Sequence, residues 1–177
     1  MVAAIMRMLV VSDNHFDRDI LVQVDNKYYN KVDLMFHCGD SQLPASDSLF
    51  EHFLTVQGNN DFDEKLPQSR LIKQSGEQVL LTHGHLQDVN STMTKLELMA
   101  QEKNATIVLF GHTHKLGVVM NRGALFLNPG SISLPRGEFT SIGGTYAIVD
   151  VTAAKFVVQF YDRQFKAIKE LSFTFQR

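Results

Sequence analysis

Hydrophobic residues in the first two-thirds of this chain fall into short runs that stop abruptly at polar clusters. Residues 8–11 are apolar and end in β-branched side chains, then give way to Ser12-Asp13-Asn14-His15. That pattern predicts a buried strand opening into a polar loop. Phe16, Ile20, Leu21, Val24 and Tyr28 then recur at helical spacing, which predicts an amphipathic helix over 17–31. Residues 34–38 read as a second buried strand ending at Gly39-Asp40, 46–52 as a short helix, and 53–56 as a third strand stopping at Gly58-Asn59-Asn60-Asp61. Two further runs, 70–74 and 78–82, flank Ser75-Gly76 and predict a hairpin that ends at His83. Val89, Met93, Leu96 and Met99 or Ala100 mark another helix, with Met93 and Met99 on its core-facing stripe, and 106–110 a strand ending at Gly111-His112-Thr113-His114.

Beyond this point the pattern changes. Residues 118–120, 124–127, 145–151, 156–161 and 171–175 are short apolar runs without a helical period between them, separated by turn formers such as Asn121-Arg122-Gly123 and Gly143-Gly144. With no repeat or linker-like stretch, the expectation is one mixed α/β domain over residues 1–177. Its expected architecture is two packed sheets with helices outside, the N-terminal segments building much of one sheet and the C-terminal segments much of the other.

Composition narrows the function classes. The chain has 177 residues, 44% of them hydrophobic, and 17 basic against 19 acidic side chains, giving a net charge of −2. That balance supplies no basic track for nucleic acid and no general attraction to an anionic membrane. No run approaches the roughly 20 apolar residues that cross a bilayer. The N-terminal MVAAIMRMLVVSD shows no secretory pattern, and the single Cys38 has no disulfide partner in the chain, so the cytoplasm is the expected location. Cys38, inside a predicted buried strand, is expected to act as a small apolar residue. His37 and His52 lack ligand-type neighbours and are expected to be structural.

Five apolar segments end at metal-ligand residue types: Asp13 with His15, Asp40, Asn59, His83, and His112 with His114. Loops beyond the carboxyl ends of strands converge in α/β sheets, so groups distant in sequence can share one crevice. Oxygen and imidazole donors without thiolates suit a catalytic transition metal, with Mn, Fe, Zn, Co or Ni fitting better than a Cys-rich structural zinc. The number of donors points to two divalent ions. Asp40 is the bridging candidate, because one carboxylate can serve ions about 3.5–4 Å apart. Such a pair activates water and stabilises charge on a transferring phosphoryl group, so hydrolysis of a phosphate ester is the expected chemistry.

The ordered set Asp13-Asn14-His15, Gly39-Asp40, Gly58-Asn59-Asn60-Asp61, His83-Gly84-His85 and Gly111-His112-Thr113-His114, followed by Leu127-Asn128-Pro129-Gly130-Ser131, resembles the calcineurin-like metallophosphoesterases, especially their small YfcE-type bacterial and archaeal branch. The resemblance covers nearly the whole chain. It implies a four-layer αββα sandwich of two mixed sheets flanked by helices, commonly with manganese. It assigns Asp13, His15, Asp40 and His114 to one ion, Asp40, Asn59, His83 and His112 to the other, and implies in-line attack by metal-bound hydroxide.

The chain departs from the wider family at two positions. Many relatives carry a His after the ligand Asn and an Asp three residues after the bridging Asp, a pair that helps protonate the leaving oxygen. Here these are Asn60 and Leu43. Neutral Asn is no general acid, so a phosphodiester with a good leaving group is the expected small phosphoester substrate. His85 and Asp61 are the substitute acid candidates, while Asn60, Asn128 and Arg136 are candidate substrate contacts. The alternative is a protein-interaction scaffold, because the resemblance extends to a retromer subunit that docks partners. A complete ligand set favours catalysis over that role. A homo-oligomer is compatible with the sequence.

Overall fold

The computed structural model describes residues 5–177; the first four residues of the N-terminal stretch examined for a leader lie outside them. In chain order the elements are β1 (Met6–Val11), α1 (Arg18–Tyr28), β2 (Leu34–His37), β3 (Phe53–Thr55), β4 (Ser69–Gln74), β5 (Glu77–Thr82), α2 (Thr94–Glu102), β6 (Ile107–Leu109), β7 (Gly117–Asn121), β8 (Ala124–Asn128), β9 (Thr145–Val151), β10 (Lys155–Asp162) and β11 (Ala167–Gln176). Six strands form one mixed sheet in the order β11-β10-β9-β1-β2-β3, and five form a second in the order β4-β5-β6-β8-β7.

Strand periodicity explains the layering. Met6, Met8 and Val10 of β1 enter the core between the sheets, whereas Leu9 and Val11 pack with Ile20, Leu21 and Val24 of α1. Similarly, Val79 and Leu81 of β5 and Ile107 and Leu109 of β6 face the central core. Leu80 and Val108 point the other way, onto Leu96 and Ala100 of α2. Side chains alternating across strands buried on both faces thus generate helix, sheet, sheet, helix, the expected αββα sandwich.

The division of strands between sheets corrects the sequence expectation. Both ends of the chain share the six-stranded sheet, because β9 pairs antiparallel with β1, placing Met8 opposite Val149 and Val10 opposite Ala147. The middle of the chain builds the other sheet, where β8 pairs with β6 in parallel and with β7 in antiparallel. Helix α1 also stops at Tyr28, three residues early, since Tyr29 turns to ψ 132° and Asn30 after it is left-handed at φ 63°. Asp17 caps its start, accepting from the Ile20 amide at 3.3 Å. Phe16 therefore lies before the helix and is 61% exposed instead of joining the buried stripe. Residues 46–52 supply only a 3-10 turn, Ser48–Glu51.

Candidate metal centre

The loops after β1, β2, β3, β5 and β6 meet at one edge of the sandwich, so both sheets contribute to the centre. Ligand atoms of Asp13, His15, Asp40 and His114 all lie within 4.8 Å of one another. His114 Nε2 is 3.2 Å from Asp13 Oδ1 and 3.1 Å from His15 Nε2, and His15 Nε2 is 3.9 Å from Asp40 Oδ2. On the other side of Asp40, His83 Nε2 lies 3.4 Å from Asp40 Oδ2 and 3.1 Å from Asn59 Oδ1. The His112 ring stands edge-on to His83, 5.1 Å between centroids, and its backbone N–H donates to Asp13 Oδ2 at 3.2 Å.

The far nitrogens explain why these rings face inward. His83 Nδ1 donates to the Cys38 carbonyl and His114 Nδ1 to the Leu134 carbonyl, each at 2.7 Å, while His15 Nδ1 meets Gln42 Oε1 at 3.0 Å. A carbonyl only accepts, so each Nδ1 carries the proton and each Nε2 presents a lone pair to the cluster. Asp13 Oδ1, fully buried, has no hydrogen-bond donor among the described residues. An orphaned carboxylate oxygen among convergent imidazole lone pairs is a donor set that fits a divalent cation.

Backbone geometry brings the groups this close. Asp13, His15, Asp40, His112 and His114 all occupy the left-handed region, with φ from 43° to 68°. Strain of this kind concentrates at sites where surrounding contacts over-determine the conformation. Space is equally tight: a Cβ on Gly58 would collide with Asp40 Oδ1, and one on Gly111 would sit 2.6 Å from Asp13 Oδ2.

The electrostatics follow from this crowding. Burial would raise the Asp13 and Asp40 carboxyls, but imidazoles outweigh it, His114 and His83 beside Asp13 and His83 beside Asp40, so both are held below the ordinary range. Burial works against charging His83 and His114, yet the adjacent carboxylates raise both. His112 and His85 shift down, first through burial and then through the neighbouring His83.

Other expected site residues take varied positions. Asn60 is exposed and donates through its backbone N–H and Nδ2 to the two Asp40 oxygens at 2.8 and 2.7 Å. The Asp61 carboxylate accepts from the amides of Asp40, Gly58 and Gln42 and from Ser41 Oγ, so it clamps the loops after β2 and β3. His85 sits beside the centre, 5.3 Å from His83 and 6.1 Å from His112 between ring centroids. Asn128 is turned inward: Nδ2 donates to the Gly111 carbonyl and Thr113 Oγ1, and Oδ1 accepts from Gly130, tying down the loop that carries His112 and His114. Arg136 is exposed next to the cluster, its amide donating to the His114 carbonyl at 3.0 Å.

His37 lies buried under the centre, accepting from the Gly39 amide at Nδ1 and donating from Nε2 to Asn14 Oδ1 at 2.8 Å. His52 binds Asp25 at 2.8 Å, away from the cluster. Cys38 is buried, its thiol pushed well up by desolvation. Sequence reasoning missed Gln42, Ser12, whose hydroxyl donates to Asp13 Oδ2, and the carbonyls of Cys38 and Leu134. Ser12 adjoins Asp13 and Gln42 lies two residues after Asp40, a signal available from spacing; the carbonyls carry no side-chain signature.

Two mixed sheets between helices, with a carboxylate and imidazole cluster at their common edge, define a metallophosphoesterase-type sandwich. The chain belongs to the calcineurin-like phosphoesterase superfamily, whose domain model matches residues 6–154. It is 36% identical over 166 residues to the probable metallophosphoesterase YsnB of Bacillus subtilis, covering 94% of this chain and 96% of that one. The crystal structure of a conserved protein from Streptococcus pneumoniae, described as a predicted phosphoesterase, superposes with a TM-score of 0.94 at 38% identity, covering 97% and 98% of the two chains. Vacuolar protein sorting 29 from Cryptosporidium parvum shares the fold, with a TM-score of 0.70 at 19% identity over 97% of each chain.

Proposed function

We propose that this protein is a dinuclear metal-dependent phosphodiesterase, working with two divalent ions, manganese foremost, as one domain spanning the chain and located in the cytoplasm. The observation that carries this reading is the convergence of donor atoms from Asp13, His15, Asp40 and His114 within 4.8 Å of one another, with Asp13 Oδ1 left without a hydrogen-bond partner among the described residues. Asp13, His15, Asp40 and His114 would hold one ion, and Asp40, Asn59, His83 and His112 the other. Bound there, the pair supplies an activated water and stabilises the charge of the phosphoryl group in in-line hydrolysis.

The protein's own residues then set the preference. The carbonyls of Cys38 and Leu134 keep two imidazoles in the ligating tautomer. Asn60 offers only amide protons, both kinds directed at Asp40, so the leaving oxygen departs without an acid at that position. Esters whose leaving oxygen needs little assistance are therefore favoured, and diesters over protein phosphates.

The test is turnover of bis(p-nitrophenyl) phosphate by the purified chain with added manganese. Hydrolysis is expected, and Asp40→Ala or His112→Ala should abolish it while circular dichroism shows an intact fold. An inert metal-loaded protein across a broad diester panel would favour the second reading, a docking scaffold, which draws support from the likeness to vacuolar protein sorting 29.

A further inference from the structure

Nine large apolar side chains are strongly exposed among the described residues, and three directly follow residues in or beside the centre in the chain. Phe16 follows His15, Phe62 follows Asp61 and Leu86 follows His85; a fourth, Leu134, is the residue whose carbonyl receives His114. Phe16 holds its ring in solvent from a left-handed backbone at φ 66°, an arrangement a bulky residue rarely adopts without a compensating role. Exposed apolar side chains on the loops that carry a polar centre mark a surface open to an apolar ligand.

One part of this rim is a shaped groove. It lies between the loop after β2 and the loop after β3, has a volume of about 700 Å³, and is walled by Leu43, Pro44 and Phe62. Gln42 lines it as well and holds His15 at 3.0 Å, so one side chain of the groove wall reaches a candidate ligand of the metal centre. Its walls are braced from below: Asp61 accepts from the Gln42 amide at 2.6 Å, and Asp63 from the Ala45 amide at 2.8 Å. The size falls within the usual range for a small organic ligand. Asp63, Glu64 and Lys65 sum to one negative charge, so the groove does not suit a second phosphate.

We propose that this groove seats a neutral planar aromatic group of the phosphoester, with its face on Phe62 and its edge toward Leu43 and Pro44, which makes aromatic organophosphates the substrate class. The assignment rests on the phosphoesterase reading of the centre. Phe62, 81% exposed, offers a free ring face, and a flat ring is well covered by one such face and a short apolar wall. A long acyl chain in so open a trough would stay half in water.

Binding of two non-hydrolysable probes to the manganese-loaded protein, measured by calorimetry, tests this. Phenylphosphonate should bind about tenfold more tightly than methylphosphonate, the scale of one aromatic contact. Phe62→Ala should remove most of that preference and Phe62→Tyr should retain it. Leu98→Ala, an exposed site on α2, should leave it intact. Equal affinities in the unaltered protein, no binding of either probe, or a preference that survives Phe62→Ala would overturn the assignment. Affinity is read without turnover, so a protein that prefers the phenyl probe yet hydrolyses nothing would strike down the hydrolytic reading and leave the groove assignment standing.

Discussion

The Nε2 atoms of His15 and His114 face each other at 3.1 Å while the Nδ1 atom of each is engaged elsewhere, on Gln42 and on the Leu134 carbonyl. Two lone pairs at that distance repel unless a proton or a cation sits between the rings. Against burial, Asp13 raises His114, and Asp40 with Asp13 raises His83, so both imidazoles hold a proton more tightly than free histidine. Manganese binding should therefore expel protons. The sign follows: as pH falls through the raised imidazole values, protons compete more strongly and metal affinity drops, by about tenfold per pH unit for each proton displaced. Titration calorimetry in buffers of different ionisation enthalpy reads the proton count directly, and a count of zero would contradict the geometry.

Gln42 orients His15 without joining the cluster. Gln42→Leu should weaken metal binding by about 10–100-fold, the usual effect of removing an outer partner, while leaving the thermal midpoint nearly unchanged. Equilibrium dialysis across a manganese series would register it.

Asp61 gathers four donors from two loops. Asp61→Ala leaves those buried donors without partners, which predicts a loss of about 3 kcal/mol in urea unfolding. Because the Asp40 amide is one of the four, hydrolytic turnover should fall as well. Unchanged stability would mean water replaces the carboxylate.

Asn60 already touches both Asp40 oxygens. Restoring an imidazole with Asn60→His should raise monoester cleavage by about 100-fold, the lower end of what a positioned acid contributes. A pH–rate series that shows no gain at any pH would place the limit in substrate fit.

His37 is buried and pushed down to about 4 by desolvation. Its Nδ1 accepts from Gly39, so a second proton would break that hydrogen bond. A histidine depressed in this way binds its proton more readily when unfolded, so stability is lost as pH falls from about 6.5 toward 4, by about 3 kcal/mol. His83 and His114, raised in the fold, act in a different window: their contribution is present below about 6.5 and is lost as pH rises above it. The difference in unfolding free energy between the unaltered protein and His37→Gln isolates the His37 share.

Strand ends and their polar clusters were legible because apolar runs stop where the backbone leaves the core, as at Val11 before Ser12 and Leu109 before His112. The partition into sheets was not, since β9 and β1 meet across most of the chain and both are buried on two faces, which removes the alternation that would betray a neighbour. The tethering of loops by Asp61 and Asn128 was not legible either, because residue type does not disclose partners. Their hydrogen bonds go largely to backbone amides and carbonyls of neighbouring loops, groups that every residue carries. Phe16 shows the converse: its spacing fits the stripe of α1, yet the turn before Asp17 points it outward.

The Asp13 and His15 loop ends a strand of the six-stranded sheet, and the His112 and His114 loop a strand of the five-stranded one. A cation held between them would rivet the two halves of the sandwich across 99 residues of sequence. Chelation would then loosen the seam between the sheets first, and amide exchange along β1 and β6 should quicken before either helix unwinds.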